Sequence, residues 1–391
     1  MRVLLITTPV TTHLTPIFPT AWALKSAGHR VLAAGHPDVV VVAERAGLPT
    51  WPVGAPFYIR EQMAGHLVDG RRPIELGVYR DVNGNWDALN KIWVDDARAM
   101  VRQYLELARA WDPDLIITDP LEFSGRMIGA LLEVPVVHHR WGVDVFTEQA
   151  DGLARRALPM TMADLGADDL PGPVLTLDPT PPSLQIEGAP PARAIRHVHA
   201  NGSGPLPAWA LRPPERRRVC LSFGRLTTSL NGLPLVRRVV DAVAGLPDVE
   251  AILTLEPEFQ EALGPVPSQV RVVAPVPLEL FLGTCDAIVH HGGSTTCMTA
   301  AEIGVPQLVL PGWGDTFALG ERLTAVGAGR SIGRVVGQGN IRAIGEAIRA
   351  LLDDPAHRTA ARRLAEEVAA LPTPAQIVPE LEKLARPRRG V

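Results

Sequence analysis

Cysteine is scarce in this chain: Cys220, Cys285 and Cys297 are the three among 391 residues. An odd, widely spaced set, with Cys220 inside an apolar run, makes no disulfide framework. The expectation is three reduced, buried thiols in a cytoplasmic protein. Charged residues make up 20% and the formal net charge is −4, so no broad basic face is available to hold nucleic acid or an anionic membrane. The short basic cluster Arg216–Arg218 follows Pro213, Pro214 and Glu215 and reads as a solvated linker end. No apolar run approaches the ~20 residues of a membrane-spanning helix. The opening MRVLLIT carries one basic residue and no small-residue cleavage pattern after it, so it reads as a first strand rather than a signal peptide. Two catalytic signatures are also missing, the Gly-x-Ser-x-Gly of a serine nucleophile elbow and the Gly-Lys-Ser/Thr of a phosphate loop.

What is there is a repeated pattern. Short strands, apolar on both faces, alternate with helical segments: RVLLITT, HRVLAAG, PDLIITD and VPVVHHR, then RRVCLSFG, VEAILTL, VRVVAPV, DAIVHH and VPQLVLP. Continuous Val/Ile/Leu runs of this kind are parallel strands covered on both sides. The pattern occurs twice, so the expected fold is α/β, two doubly wound Rossmann-like domains facing across a cleft. The boundaries are set at 1–205 for the first domain, 206–216 for a linker and 217–370 for the second. A final helical segment, 371–391, follows the break LPTPA and is expected to return to the first domain. Proline clusters fill the stretch from Leu170 to Pro214, which is therefore read as extended lining without helices or central strands. GVYRDVNGNWDALN reads as a surface loop or an acceptor-side lid.

Five strand ends carry chemistry. TTPVTTHLTP places His13 on the loop after the first strand, with a side chain suited to taking a proton near neutrality. PDLIITDP ends its strand at Asp119, which can orient a histidine or cap a helix beginning near Leu121. VHHGGSTTC runs from a strand through Gly292 and Gly293 into a helix whose first turn holds Ser294, Thr295 and Thr296. Free N–H groups at such a helix start bind anions. Zinc is excluded for His290 and His291, because neighbours on a strand point to opposite faces and no ligand set accompanies them. CLSFGRLTT puts Ser222, Gly224 and Arg225 on the same edge, either as a second anion loop or as an ordinary glycine turn. LPGWGDTF places Asp315 where it can accept from sugar hydroxyls or cap a helix.

Together these pieces resemble the GT-B-fold glycosyltransferases that decorate macrolides, aromatic polyketides and glycopeptides. HHGGSTT with VPQLVLPGWGD carries the resemblance, and VPVVHHRWGVD and NGSGPLPAW look especially like rhamnosyltransferases acting on macrolide polyketides. The resemblance spans nearly the whole chain. It implies that His13 is the general base on the acceptor hydroxyl and that Asp119 orients it. Val276 and Pro277 would meet a thymine or uracil base, and Ser222, Gly224 and Arg225 would face the diphosphate. His291 with the backbone from Gly293 to Thr296 would neutralise that diphosphate as it leaves, and Asp315 with the adjacent Thr316 would hold the sugar. No metal and no other cofactor is implied, the co-substrate being a nucleotide sugar, dTDP-linked. The partners implied are this donor and a small-molecule polyketide acceptor, with no nucleic acid and no membrane span; a homodimer is compatible with the chain.

Two positions depart from the family. Thr295 stands where glycine is usual, and Thr316 where glutamine is common. The readings this leaves are an inverting deoxysugar transferase, a nucleotide-sugar 2-epimerase of the same fold, and a non-catalytic activator or binding protein. A carbon acceptor stays open beside an oxygen one, with His13 favouring oxygen. Losing a long amide at 316 predicts that a donor with fewer hydroxyls, such as a dTDP-deoxysugar, is turned over in preference to dTDP-glucose. A competition assay with both donors checks this.

Overall fold

The computed structural model describes residues 1–65, 67, 70–76, 86–200, 202 and 204–386, with the backbone alone over 86–89. The first sheet has seven strands: β1 (Arg2–Ile6), β2 (Arg30–Gly35), β3 (Thr50–Pro52), β4 (Leu115–Thr118), β5 (Val136–His139), β6 (Leu175–Asp178) and β7 (Arg193–Ala194). The second has six: β8 (Arg217–Ser222), β9 (Val249–Thr254), β10 (Val270–Val273), β11 (Ala287–His290), β12 (Gln307–Val309) and β13 (Gly329–Ser331). Their orders are 3-2-1-4-5-6-7 and 10-9-8-11-12-13. The two central pairs, β1 with β4 and β8 with β11, are parallel. In both sheets the order reverses beside the first strand, and the loops leaving the paired strands there open a ligand crevice.

Period-two alternation explains the two-sided cores. In the first domain Val3, Leu5, Leu115 and Ile117 join one cluster, and Leu4, Ile6 and Ile116 another on the opposite face. The second domain repeats this with Val219, Leu221 and Val289 on one face and Cys220 and Ile288 on the other. Cys220, Cys285 and Cys297 are free and buried. Among the described residues no helix is long and apolar enough to cross a membrane.

One expectation needs correcting. The proline-rich stretch from Leu170 does hold a strand inside the sheet, since β6 lies between β5 and β7. Leu175–Asp178 contains no proline; Pro173 and Pro179 flank it, so its ladder donors are intact. Of GVYRDVNGNWDALN, residues 77–85 lie outside the described residues, and a helix begins at Trp86 and runs to Trp111.

The helix Pro374–Leu384 opens with a capping box between Thr373 and Gln376. It places Ile377, Val378 and Leu381 in the same cluster as Val3 and Leu5. Arg193 and Glu380 pair on its outer face. Removing the Leu381 side chain therefore leaves a cavity in the first domain. Leu381→Ala is expected to cost ~2–5 kcal/mol, read by urea unfolding as an early transition of that domain.

Candidate active site

His13 sits on a helical turn, Thr11–Leu14, rather than on an open loop. The turn forms because Thr8 and Val10 carbonyls accept from Val10 and His13 N–H groups. Asp119 is 0% exposed. Its Oδ2 accepts from the Thr8 backbone N–H at 2.7 Å and from Thr8 Oγ1 at 3.0 Å, and its Oδ1 accepts from the Leu121 N–H at 2.9 Å. Burial alone would push this carboxyl up, but His13 and the Thr8 and Leu121 amides hold it below the usual range. Asp119 is thus an anion.

The contact between base and carboxylate differs from the simple expectation. His13 Nδ1 lies 3.7 Å from Asp119 Oδ1 but 2.6 Å from Thr8 Oγ1. A hydroxyl has one proton, and the carboxylate takes it. Thr8 Oγ1 must therefore accept from His13 Nδ1–H, which leaves Nε2 as the proton acceptor. Nor does Asp119 cap the next helix: Glu122 does, accepting from the Ser124 N–H at the start of Phe123–Leu132.

Across the cleft, β11 ends at His290, which points inward. Its Nδ1 accepts from the Gly292 N–H, and its Nε2–H donates to Gln307 Oε1 at 2.9 Å. Gly292 turns with φ of 91°, and a Cβ there would meet Thr316 Cβ at 2.9 Å, so only glycine fits. The helix Ser294–Ile303 follows. Its first intrahelical bond runs from the Cys297 N–H to the Gly293 carbonyl, leaving the N–H groups of Ser294, Thr295 and Thr296 without an intrahelical partner. His291 packs against Gly293 and Gly224, where Cβ atoms would lie 2.5 Å and 3.0 Å from its ring.

A cavity of about 690 Å³ lies between the domains. Its wall mixes hydroxyls, from Thr11, Thr12, Ser222, Thr295 and Thr296, with apolar side chains, from Phe18, Trp22, Pro275, Val276 and Leu278. Among the described residues Glu256 and Arg45 are the charged side chains on it. Hydroxyls and helix-start amides beside apolar surface suit an anionic ligand with a flat organic head.

The chain matches the models of the erythromycin biosynthesis protein CIII-like family, the N-terminal domain over residues 22–224 and the C-terminal domain over 237–384. The chain belongs to that family. It is similar to the L-demethylnoviosyl transferase of Streptomyces niveus, 36% identical over 100% of this chain and 99% of the relative. The 10-deoxymethynolide desosaminyltransferase of Streptomyces venezuelae is 32% identical over 100% and 98%. Among solved structures, spinosyn rhamnosyltransferase SpnG complexed with thymidine diphosphate is 36% identical, with TM-score 0.87 over 98% of this chain and 100% of that one. VinC in complex with dTDP is 31% identical, with TM-score 0.83 over 98% and 99%. This CIII-like chain is a glycosyltransferase of GT-B fold, from a family whose members transfer deoxysugars to macrolide and other polyketide acceptors.

Several expected site residues stand differently in this glycosyltransferase. Arg225 is 61% exposed, pairs with Glu258, and is absent from the cavity wall. Thr316 is 2% exposed, and its hydroxyl donates to the Trp313 carbonyl while facing the Gly312 and Trp313 amides. It braces its own loop and does not reach the cleft. Pro277 packs against Gly204, while Val276 lines the cavity. His291 is not a ready-made cation: burial pushes its pKa down to about 4, against a Ser222 backbone contact that raises it. Its Nδ1 is buried without a hydrogen-bond partner, and the ring is neutral at pH 7. Asp315 lies near His13, with Ser294 Oγ 3.5 Å from its Oδ2. Burial raises its pKa, and His13, Trp141 and Ser294 oppose the rise. Thr295 faces the cavity beside Thr296, adding a hydroxyl where glycine was expected.

Sequence reasoning missed Thr8, Thr254, Glu256 and Trp141. The threonine density of TTPVTTHLT was the available signal for Thr8; Thr254 is betrayed only by its bond to Ser222 Oγ at 3.1 Å. Glu122 is a further buried acid beside the site, pushed up to about 8 by burial first and then by Asp96 and Asp119. Its folded pKa lies above the unfolded value, so the folded state binds the proton more tightly. The stability this gives is full below the unfolded value, near ~4.3, and is lost as pH rises through about 8. Glu122→Gln is expected to match the wild type at pH 4 and to exceed it at pH 9 by on the order of 4–5 kcal/mol, measured by denaturant melts at both pH values.

Proposed function

We propose that this glycosyltransferase moves a deoxysugar, rhamnose being the first to try, from a dTDP-sugar to a hydroxyl of a macrolide-type polyketide, with inversion. The observation carrying this reading is the free Nε2 of His13, held by the Thr8–Asp119 relay near Asp315, which adjoins Ser294 at the helix start. Nε2 takes the acceptor hydroxyl proton as the oxygen forms its bond to the anomeric carbon. The bond from that carbon to the diphosphate breaks, and the electron pair leaves with dTDP. Negative charge grows on the leaving oxygen, and N–H groups of Ser294 to Thr296 stabilise it where it appears. His291 adds its Nδ1 or Nε2 as one more contact, and a diphosphate beside it would favour its protonated form. The helix start thereby does the work for which other transferases use a cation.

Two features support dTDP: SpnG and VinC were solved with thymidine diphosphate, and apolar lining that includes Val276 and Leu278 suits a methylated base. SpnG, a rhamnosyltransferase by name, supports the sugar. In this reading residues 1–205 take the acceptor, 217–370 take the donor, and 206–216 link them, with 371–391 returning to the first part. Asp315 meets the sugar, whereas Thr316, turned inward, offers it no side-chain donor.

A thermal-shift panel of dTDP, UDP and GDP tests the nucleotide, with dTDP expected to raise Tm most. If none raises it, the donor reading falls. His13→Ala is expected to lower turnover ~10²–10⁴-fold while leaving the dTDP-induced Tm shift unchanged. Donor isomerised without any acceptor would instead mark an epimerase.

A further inference from the structure

Trp141 belongs neither to the base relay nor to the anion cradle, yet it stacks on His13 of the first and lies by Asp315, beside the second. It follows β5 on the segment Arg140–Asp144, which buried ion pairs hold in place. Arg140 meets Asp144 at 2.5 Å and Asp178 at 2.8 Å, and donates to the Pro190 carbonyl at 2.7 Å. The indole lies flat on the His13 ring, with centroids 3.8 Å apart and planes 12° apart. Phe146 backs it at 5.3 Å. The Asp315 carboxylate of the second domain lies close enough for the indole N–H to favour its charged form.

The next residue closes the same contact. A Cβ on Gly142 would lie 2.2 Å from Ser294 Oγ, so only a bare backbone lets the two domains meet here. His13, Trp141 and Gly142 of one domain thus face Ser294 and Asp315 of the other within one layer.

We propose that Trp141 is a positioning residue that sets the His13 ring and the Asp315 carboxylate against one another across the domain boundary. The stack fixes the imidazole plane, and so the direction of Nε2. The N–H fixes the carboxylate that meets the transferred sugar. Base and sugar are thereby oriented by one rigid ring, which suits a displacement needing the attacking oxygen and the leaving group in line. The proposal rests on the roles given above to His13 and Asp315. Trp141 also fills a core with Leu121 and Phe123; packing alone would make every replacement a loss of stability and nothing more.

Two replacements separate the parts: Trp141→Phe keeps the stack and loses the N–H, and Trp141→Leu loses both. In ligand-free protein, long-range 1H–15N NMR reads the His13 tautomer, its signals assigned by their loss in His13→Gln. The Nδ1-protonated form is expected in the wild type and in Trp141→Phe, and a mixture in Trp141→Leu. In turnover, Trp141→Phe should raise the donor KM ~10-fold, the worth of one charge-assisted hydrogen bond, with the smaller effect on kcat. Trp141→Leu should lower kcat by ~30-fold or more, the order expected for a misaligned base. In an Asp315→Asn background Trp141→Phe should add no further rise in KM. An unchanged tautomer in Trp141→Leu, or effects of Trp141→Phe and Asp315→Asn that multiply, would overturn the proposal. Should Trp141→Leu not fold, the additivity of the other pair decides. If the wild type turns over no dTDP-sugar, the functional reading falls, while the tautomer measurement still judges the Trp141 contact.

Discussion

A carboxylate with no exposed surface has to be solvated by the protein itself, and the active edge of the first domain is arranged around that demand. Asp119 is met by two backbone amides and a hydroxyl, all supplied by the loops that leave β1 and β4. Those loops cannot drift apart without stranding a charge, which is among the costliest errors a fold can make. Because Thr8 spends its proton on Asp119, the imidazole has one tautomer open to it for as long as its ring stays against Thr8. Electrostatics thus sets geometry here, and geometry sets which nitrogen does chemistry.

The second domain meets a similar problem with the opposite sign. In the proposed reading it takes a large anion, yet among the described residues neither Arg225 nor His291 stands ready there as a cation. Arg225 is turned to Glu258, and His291 is neutral while buried. What waits in the cleft is a set of unspent amide protons and hydroxyls. Dipoles of that kind cost less to bury than charges and need no rearrangement when charge arrives. Glycine at 292, 293 and 142 serves this arrangement by letting the Thr316, His291 and Ser294 side chains pack against bare backbone.

The strand ends were legible because hydrophobic period and glycine punctuation are local properties. TTH, IITD and HHGGSTT could each be placed at a sheet edge, and two halves of one pattern gave two sheets. Side-chain direction was not legible. Nothing in GRLTT says that Arg225 pairs outward, or in GDT that Thr316 folds back on Trp313. Thr8 was hidden for the same reason: a relay through a hydroxyl depends on angles that spacing does not record. Proline content misled where it flanked a strand rather than interrupting it, as at β6. Trp141 sat inside a quoted motif and was passed over, since its partners, His13 and Asp315, are 128 and 174 positions away.

The return of Pro374–Leu384 to the first sheet has a consequence for the order in which the protein is made. Ile377, Val378 and Leu381 complete a core begun by Val3 and Leu5, so residues of the first strand wait for a helix that lies beyond the whole second domain. The second domain lies between them in the chain and has all its strands before that helix emerges from the ribosome. During synthesis, then, the second domain can reach its native state first, and the half that carries His13 is sealed only after it.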